Sequence, residues 1–193
     1  MKSLKRLAIA LAVEAKSQLL GNRTNEAARC NLDVIRLSQT MRKGGLFVDG
    51  INSLAIEIIG AATLQEMIPE LDAAFCEEAA RALEEMESRR ETPDTVIATE
   101  KAWSARRFGL IDRLGGFVTR EANAKRQAKF TEQSHDAHLR TQRLMLRLAA
   151  RAYELENQKL PAKVSDLVPV YLKAIPRDAK TAQEIQDLPL LVK

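Results

Sequence analysis

The stretch RAYELENQKLPAKVSDLVPVYLKAIPRD, residues 151–178, decides how the chain closes its fold. A helical pattern runs into Pro161, and Pro169 and Pro176 follow at intervals of eight and seven residues. Proline lacks a backbone N–H and biases the residue before it towards an extended conformation, so a helix cannot continue through the stretch. The pattern predicts a clasp over 161–193 that packs on the last long helix. Its apolar anchors are Leu160, Val164, Leu167, Val168, Tyr171, Leu172 and Ile175.

The composition of the rest of the chain favours helices. Of the 193 residues, 46% are hydrophobic and 29% charged, while only 4% are aromatic. Ala, Leu, Arg, Lys and Glu dominate, and these side chains lose little rotamer freedom in a helix. We predict an all-α protein with a single domain. Residues 1–160 would form an irregular helical bundle or a short tetratricopeptide-like array of helical hairpins, and residues 161–193 the clasp.

Hydrophobic periodicity and start and stop signals divide residues 1–160 into successive helices. Asn22 or Thr24 is expected to cap the second helix, Asp72 to start the fourth, and Thr92 to cap the fifth before Pro93. The predicted helices cover about 3–20, 24–42, 49–68, 72–90, 93–107, 117–130 and 134–157, with breaks at Gly109 and at Gly115-Gly116.

The net charge of +4 is unevenly distributed along the sequence. Lys and Arg against Asp and Glu number 9 and 4 in residues 1–50, 3 and 12 in 51–100, 11 and 4 in 101–150, and 7 and 6 in 151–193. An acidic block therefore lies between two basic blocks. Either acidic and basic helices lie side by side in the fold, or the basic residues form a surface for an anionic partner.

The cysteines and the N-terminal residues do not decide in which cellular compartment the protein lies. Cys30 and Cys76 lie among apolar helix positions, which favours two buried free thiols, although outside the cytoplasm they could pair. Basic residues precede an apolar run at 7–13, as in a signal peptide, but helical spacing continues beyond it and favours an ordinary first helix. No segment approaches the ~20 apolar residues of a membrane span. If the natural protein has a signal or anchor, that segment would lie upstream of this sequence.

The only two histidines suggest one candidate metal site. Glu132, His135 and His138 follow one another at intervals of one helical turn, so they could present ligands to a metal ion from one face. A carboxylate-bridged di-metal bundle needs two Glu-x-x-His motifs, and the sequence has one. A solvated helix start is favoured, and we expect no metal, no cofactor and no catalytic residues.

Other catalytic motifs find no support in the sequence. Glu84, Glu85 and Glu87 belong to a charge run that predicts a solvent-facing helix surface and not a glycosidase pair. The Gly-x-Ser-x-Gly motif of serine hydrolases is absent. The glycine pairs at 44–45 and 115–116 lack the Lys-Ser/Thr of a phosphate loop. We expect a protein that is not an enzyme.

Residues 101–147 interleave basic and aromatic side chains, a pattern that can bind phosphates and stack bases. Two arguments weigh against nucleic acid as a partner: the aromatic residues occupy core-like positions, and the acidic fourth helix can neutralise the basic face. The pattern is formed by Lys101, Arg106, Arg107, Arg113, Arg120, Lys125, Arg126 and Lys129 with Trp103, Phe108, Phe117 and Phe130.

The C-terminal stretch carries a family resemblance on Tyr153, Pro161, Leu167, Val168, Pro169, Tyr171, Leu172, Pro176 and Asp178. It resembles a segment of uncharacterised envelope proteins of planctomycete-type bacteria, whose helical hairpins the upstream pattern also resembles. It is similar, too, to the region after the long helix in type II secretion pseudopilins. The chain continues Asp178-Ala179-Lys180 without the usual Asp-Pro and Gly, and it has no prepilin cleavage motif. A pseudopilin is therefore not expected.

The resemblance implies an envelope or secreted setting, so a periplasmic or envelope location is favoured over the cytoplasm. We expect a non-enzymatic helical scaffold or protein-interaction module of the bacterial cell envelope. A protein partner or a second copy would bind it, and the chain itself would contain no transmembrane span. The alternatives are a helical protein that binds nucleic acid through residues 101–147 and a metal-binding helical bundle.

Overall fold

The computed structural model describes residues 2–187, and for residues 2–5 and 108–120 it describes the backbone alone. The chain is all-α, as predicted, with no named β-strand within residues 2–187. Its helices are α1 (Lys2–Leu20), α2 (Thr24–Arg42), α3 (Phe47–Met67), α4 (Ala73–Ser88) and α5 (Pro93–Asn157), with short 3₁₀ helices at Ile68–Glu70 and Val164–Leu167.

Side-chain caps account for the starts of α4 and α5. Asp72 accepts a hydrogen bond from a backbone N–H of α4 at 2.8 Å, and Thr92 accepts one from α5 at 3.3 Å, which confirms both predicted starts. At α2 the prediction is wrong, because Arg23 precedes the helix and makes no side-chain capping bond. Asn22 has a left-handed φ of 55°, whereas a capping residue needs an extended backbone, and Thr24 already lies inside the helix.

The helices pack as an irregular bundle. α2 packs against α1 and α3, while α5 packs against α3 and α4. Residues of α2, α3, α4, α5 and the clasp form the main core, and a smaller cluster joins α3 to α5. A tetratricopeptide-like array would pair α3 with α4, and that pair is not among the principal helix contacts of the described residues. The irregular bundle therefore describes the packing better than the array.

The chain reverses direction inside α5. Val96 and Phe130 are 34 residues apart, which is about 51 Å along a straight helix. Both nevertheless lie against Gly50: a Cβ atom on this glycine would stand 3.3 Å from Val96 and 2.8 Å from the Phe130 ring. Residues 93–97 and 130–138 of α5 therefore lie side by side, and the chain reverses between them. We call residues 93–107 the first arm of α5 and residues 121–157 its second arm.

The breaks predicted at Gly109 and Gly115-Gly116 do not end a helix, because α5 continues through all three glycines. The prediction of separate helices in this region is wrong in that respect. A glycine costs only about 1 kcal/mol in a helix interior, so it need not end one. All three lie between Ile97 and Phe130, the interval in which the chain reverses.

The clasp packs on the core, as its apolar pattern predicts, with one exception. Leu160 is 59% exposed because it lies in the turn that follows α5. The Tyr171 ring packs 5.8 Å from that of Tyr153 on α5, and its hydroxyl donates a hydrogen bond to Glu156 at 2.5 Å. Residues 188–193 of the predicted clasp lie outside the described residues. The other anchors are buried (Val164, Leu167, Tyr171 and Leu172) or half-buried (Val168 and Ile175).

α3 is a strongly apolar helix. By length and composition alone, Phe47–Glu70 is the one segment among the described residues that could cross a membrane, which corrects the expectation that no segment comes close. The core helix of a bundle passes the same test. α3 packs against α2 and α5, and it buries Glu57, which is 1% exposed and paired within the fold.

Candidate functional site

A network of buried charged side chains lies where α2, α3, the end of α4 and the second arm of α5 meet. At its centre Glu57 accepts hydrogen bonds from Arg42 at 2.8 Å and from both terminal nitrogens of Arg90. Arg90 also pairs with Glu87 at 2.5 Å, and Glu87 pairs with Nε2 of His138 at 2.9 Å. The network therefore ties together four segments that are far apart in sequence.

Two hydroxyl groups complete the surroundings of the central charges. Thr141 on the second arm donates a hydrogen bond to Oε1 of Glu57 at 2.9 Å. Ser53 accepts one from Nε of Arg42 at 3.1 Å and donates another to the carbonyl oxygen of Gly50 at 2.7 Å. Buried charges persist in a protein interior when they are paired and hydrogen-bonded in this way.

The pairing shifts the pKa values within the network. Burial alone raises the pKa of Glu57, but Arg90, Arg42 and the Thr141 hydroxyl outweigh it, so the pKa lies below its ordinary value. Burial lowers the pKa of Arg42. It also acts to lower the pKa of Arg90, but Glu87 and Glu57 together raise that pKa instead. Glu57 is therefore a carboxylate at neutral pH, held between two guanidinium groups.

The three glutamates predicted to face solvent behave differently from one another. Glu85 is exposed, as predicted, and it pairs with Arg89. Glu84 is half-buried and accepts hydrogen bonds from two backbone N–H groups of the clasp. The side chain of Glu87 is only 8% exposed and belongs to the network, so the prediction is wrong there.

The central residue of the network, Glu57, was not singled out from the sequence. A signal for it exists, because Glu57 is a carboxylate between Ile56 and Ile58 in the most apolar helix. A charge in such a helix must find a partner or be neutralised. The identity of that partner depends on α5 returning to α3, which no local pattern shows.

A cavity of about 300 Å³ opens beside the network, between the first turn of α5 and its second arm. His135 and His138 line it, together with Ser134, whose buried hydroxyl has no hydrogen-bond partner in the part of the chain that the structure describes. Glu132 is exposed and is not among the lining residues, so the structure does not bring the three candidate metal ligands together. Within the described part of the chain, no group of three or more His, Cys, Asp or Glu is placed to hold a metal ion.

Both cysteines are free thiols, as predicted. Cys76 is buried, and burial raises its pKa to about 12, so the thiol stays protonated at neutral pH. Cys30 is only half-buried, which corrects the prediction for that position. Burial also raises the pKa of Cys30. Neither thiol has the depressed pKa of a reactive cysteine.

A second candidate site is an apolar surface on α1 and α3. Six side chains of α3 are exposed, and only Glu66 among them is polar. On α1 the exposed apolar side chains recur at helical spacing, with Val13 62% and Leu20 89% exposed. This apolar surface consists of Ile9, Val13 and Leu20 on α1 and of Val48, Ile51, Ala55, Ile59 and Ala62 on α3.

A groove of about 370 Å³ runs between α1 and α3. Ile9 forms one of its walls and Ile59 the other, and Val34 of α2 contributes to the lining as well. Among the side chains that the structure describes, Lys16 is the single charged residue that lines it. Within residues 6–20, Ala15 is the one side chain of α1 that is buried, so α1 leaves most of its apolar residues accessible.

Comparisons with protein-family models, with curated proteins and with solved structures find no match to this chain.

Proposed function

We propose that the protein is a non-enzymatic helical scaffold of the bacterial cell envelope that associates with a second copy of itself through the apolar surface. The observation that carries this proposal is the composition of the exposed face of α3, where five of six residues are apolar. The exposed face of a bundle helix is ordinarily polar, and a contiguous apolar face marks an interaction site.

A second copy is the occupant because the apolar surface is complementary to itself. The exposed side chains of α1 stand beside the groove that α1 forms with α3. One copy therefore supplies the groove and also the side chains that fill the groove of its partner. This reciprocity is the property of a two-fold symmetric interface, in which the same patch is used on both subunits.

The proposal assigns no catalytic role to the buried network, because its charged side chains are paired with one another and have little contact with solvent. Glu57, Arg42 and Arg90 bind one another, and their side chains are each less than 10% exposed. They are engaged in holding the helices together and present little surface to a substrate. The envelope setting is supported by the resemblance of the C-terminal stretch, whose anchors Leu167, Tyr171 and Leu172 are used for packing.

Molar mass in solution, measured by light scattering over a range of protein concentrations at low and high salt, tests the proposal. We expect a dimer that persists at high salt, because apolar burial is not screened by ions. Ile9 is 56% exposed, and burying an isoleucine completely stabilises by about 1.5–3 kcal/mol. Ile9→Glu in two copies should therefore cost about 2 kcal/mol and weaken dimerisation roughly 30-fold.

Ala10→Glu is the matched control for this variant. It introduces the same charge at an exposed position of the same helix, but about 100° around the helix axis from Ile9. It should leave the dimer intact. A wild-type protein that stays monomeric at every concentration would overturn the proposal, and so would a dimer that tolerates Ile9→Glu.

A further inference from the structure

The arms of α5 project from the bundle as a helical hairpin. No side chain of residues 98–107 on the first arm or of residues 121–129 on the second arm is buried. At the base of the hairpin, by contrast, Val96 and Phe130 are each 1% exposed and pack against α3. The two arms therefore leave the core together and stand in solvent beyond it.

The projecting arms carry many cations and few carboxylates. Of the two acidic residues in these segments, Glu100 accepts a hydrogen bond from the backbone N–H of Phe47 at 3.0 Å. Glu121 pairs with Lys125 on the same arm. The other five cations have no ion-pair partner among the described residues. We call these two segments, 98–107 and 121–129, the basic arms. Their exposed cations are Lys101, Arg106, Arg107, Lys125, Arg126 and Lys129.

The acidic helix α4 does not neutralise the basic arms. Glu77 and Glu85 pair with arginines four residues further along the chain, and Glu78 pairs with an arginine of α2. Glu84 binds the clasp, and Glu87 belongs to the buried network. All five glutamates of α4 are therefore engaged elsewhere, which removes one of the two arguments against nucleic acid as a partner.

The aromatic residues expected in the core are placed differently from one another: Phe130 is buried and Trp103 is exposed. Phe130 is buried at the base of the hairpin, as its core-like position predicts. Trp103 is 43% exposed and lies on the first arm among the cations. An exposed indole beside arginines is the arrangement that stacks on a nucleic-acid base while the cations bind phosphates.

We propose that the basic arms bind the phosphate backbone of single-stranded nucleic acid, with Trp103 stacking on a base. On the first arm Arg106 and Arg107 flank Trp103 within about 100° of the helix circumference. On the second arm Lys125, Arg126 and Lys129 also lie within about 100° of one another. A linear polyanion can bind along each of these faces.

Fluorescence anisotropy with a labelled 20-nucleotide single strand tests the proposal in the intact protein. If all six cations bind phosphates, the logarithm of the binding constant should fall with the logarithm of salt concentration with a slope of up to about −4. Replacing Arg106 and Arg107 by glutamine should reduce the magnitude of that slope by about 1.4 and weaken binding at low salt roughly tenfold or more. Trp103 is the only tryptophan, so quenching of the intrinsic indole fluorescence should accompany binding.

The matched control replaces Arg36 and Arg89 by glutamine. Both are exposed arginines outside the hairpin, so this variant loses the same charge at another place. It should retain the binding and the slope of the wild type, as should Ile9→Glu, which alters only the apolar surface. Equal losses in the two double variants would overturn the proposal. So would an absence of binding at low salt, or binding to anionic vesicles but not to nucleic acid.

Discussion

Replacing Glu57 by glutamine should destabilise the protein strongly although the side chain keeps its size. The carboxylate receives hydrogen bonds from Arg42, Arg90 and Thr141. The charged side chains of Glu57, Arg42 and Arg90 are each less than 10% exposed. After the substitution, two guanidinium groups remain buried without their shared counter-ion. Water screens their positive charges poorly because they have little contact with solvent. Breaking a buried pair in this way costs about 3–5 kcal/mol. For a chain of this length, the melting temperature should fall by roughly 6–20 °C.

Glu85→Gln is the control, because it removes the same charge from an ion pair on the surface. Glu85 and Arg89 are 59% and 76% exposed, and such a pair contributes about 1 kcal/mol at most. Thermal and urea unfolding followed by circular dichroism compare the two variants with the wild type. If the unfolding free energies of the Glu57→Gln and Glu85→Gln proteins differ by less than about 1 kcal/mol, the buried network does not stabilise the fold as described.

Two further predictions follow from the same packing. The pKa of Glu57 is depressed in the folded state, so its stabilisation is complete above the unfolded value near 4.5 and is lost as the pH falls from there towards the folded pKa. Urea unfolding at pH values from 7 to 3 should show this loss, and Glu57→Gln should flatten it; an equally steep loss in the variant would contradict the assignment. Gly50→Ala should cost about 1–3 kcal/mol, because its Cβ would meet the Phe130 ring at 2.8 Å. In a Phe130→Leu background the cost should shrink, and strict additivity in this double-mutant cycle would refute the reversal of α5.

Helix starts that depend on local chemistry could be predicted from the sequence. Asp72 and Thr92 bind backbone N–H groups three residues ahead of them, so their partners lie inside the sequence window that suggests them. The reversal within α5 has no such local cause. It depends on Phe130 packing against Gly50, a contact between residues 80 positions apart. Periodicity shows which residues are apolar but not which distant helix they meet.

The same limit applies to the candidate sites. Glu85 and Glu87 are two residues apart with similar neighbours, yet one is exposed and the other is buried against His138. Helix periodicity separates the two faces of α4, but the polar face of that helix meets the second arm of α5 at Glu87. The apolar surface could not be predicted from the sequence for a related reason. The dense apolar residues of α3 are typical of a buried helix, and the sequence does not say that one of its faces stays uncovered.

The buried network also bears on the order in which the chain can fold. Glu57 meets Arg42 across 15 residues, Arg90 across 33 and Thr141 across 84. Contacts between distant residues require the closure of long loops before they stabilise anything, and proteins that depend on them fold slowly for their size. Arg42 and Glu57 come from neighbouring helices, whereas Thr141 can reach Glu57 only once the second arm of α5 has come back to α3. The first half of the chain thus supplies the charged residues of the network, and the last third supplies Thr141, which completes the hydrogen bonds to Glu57.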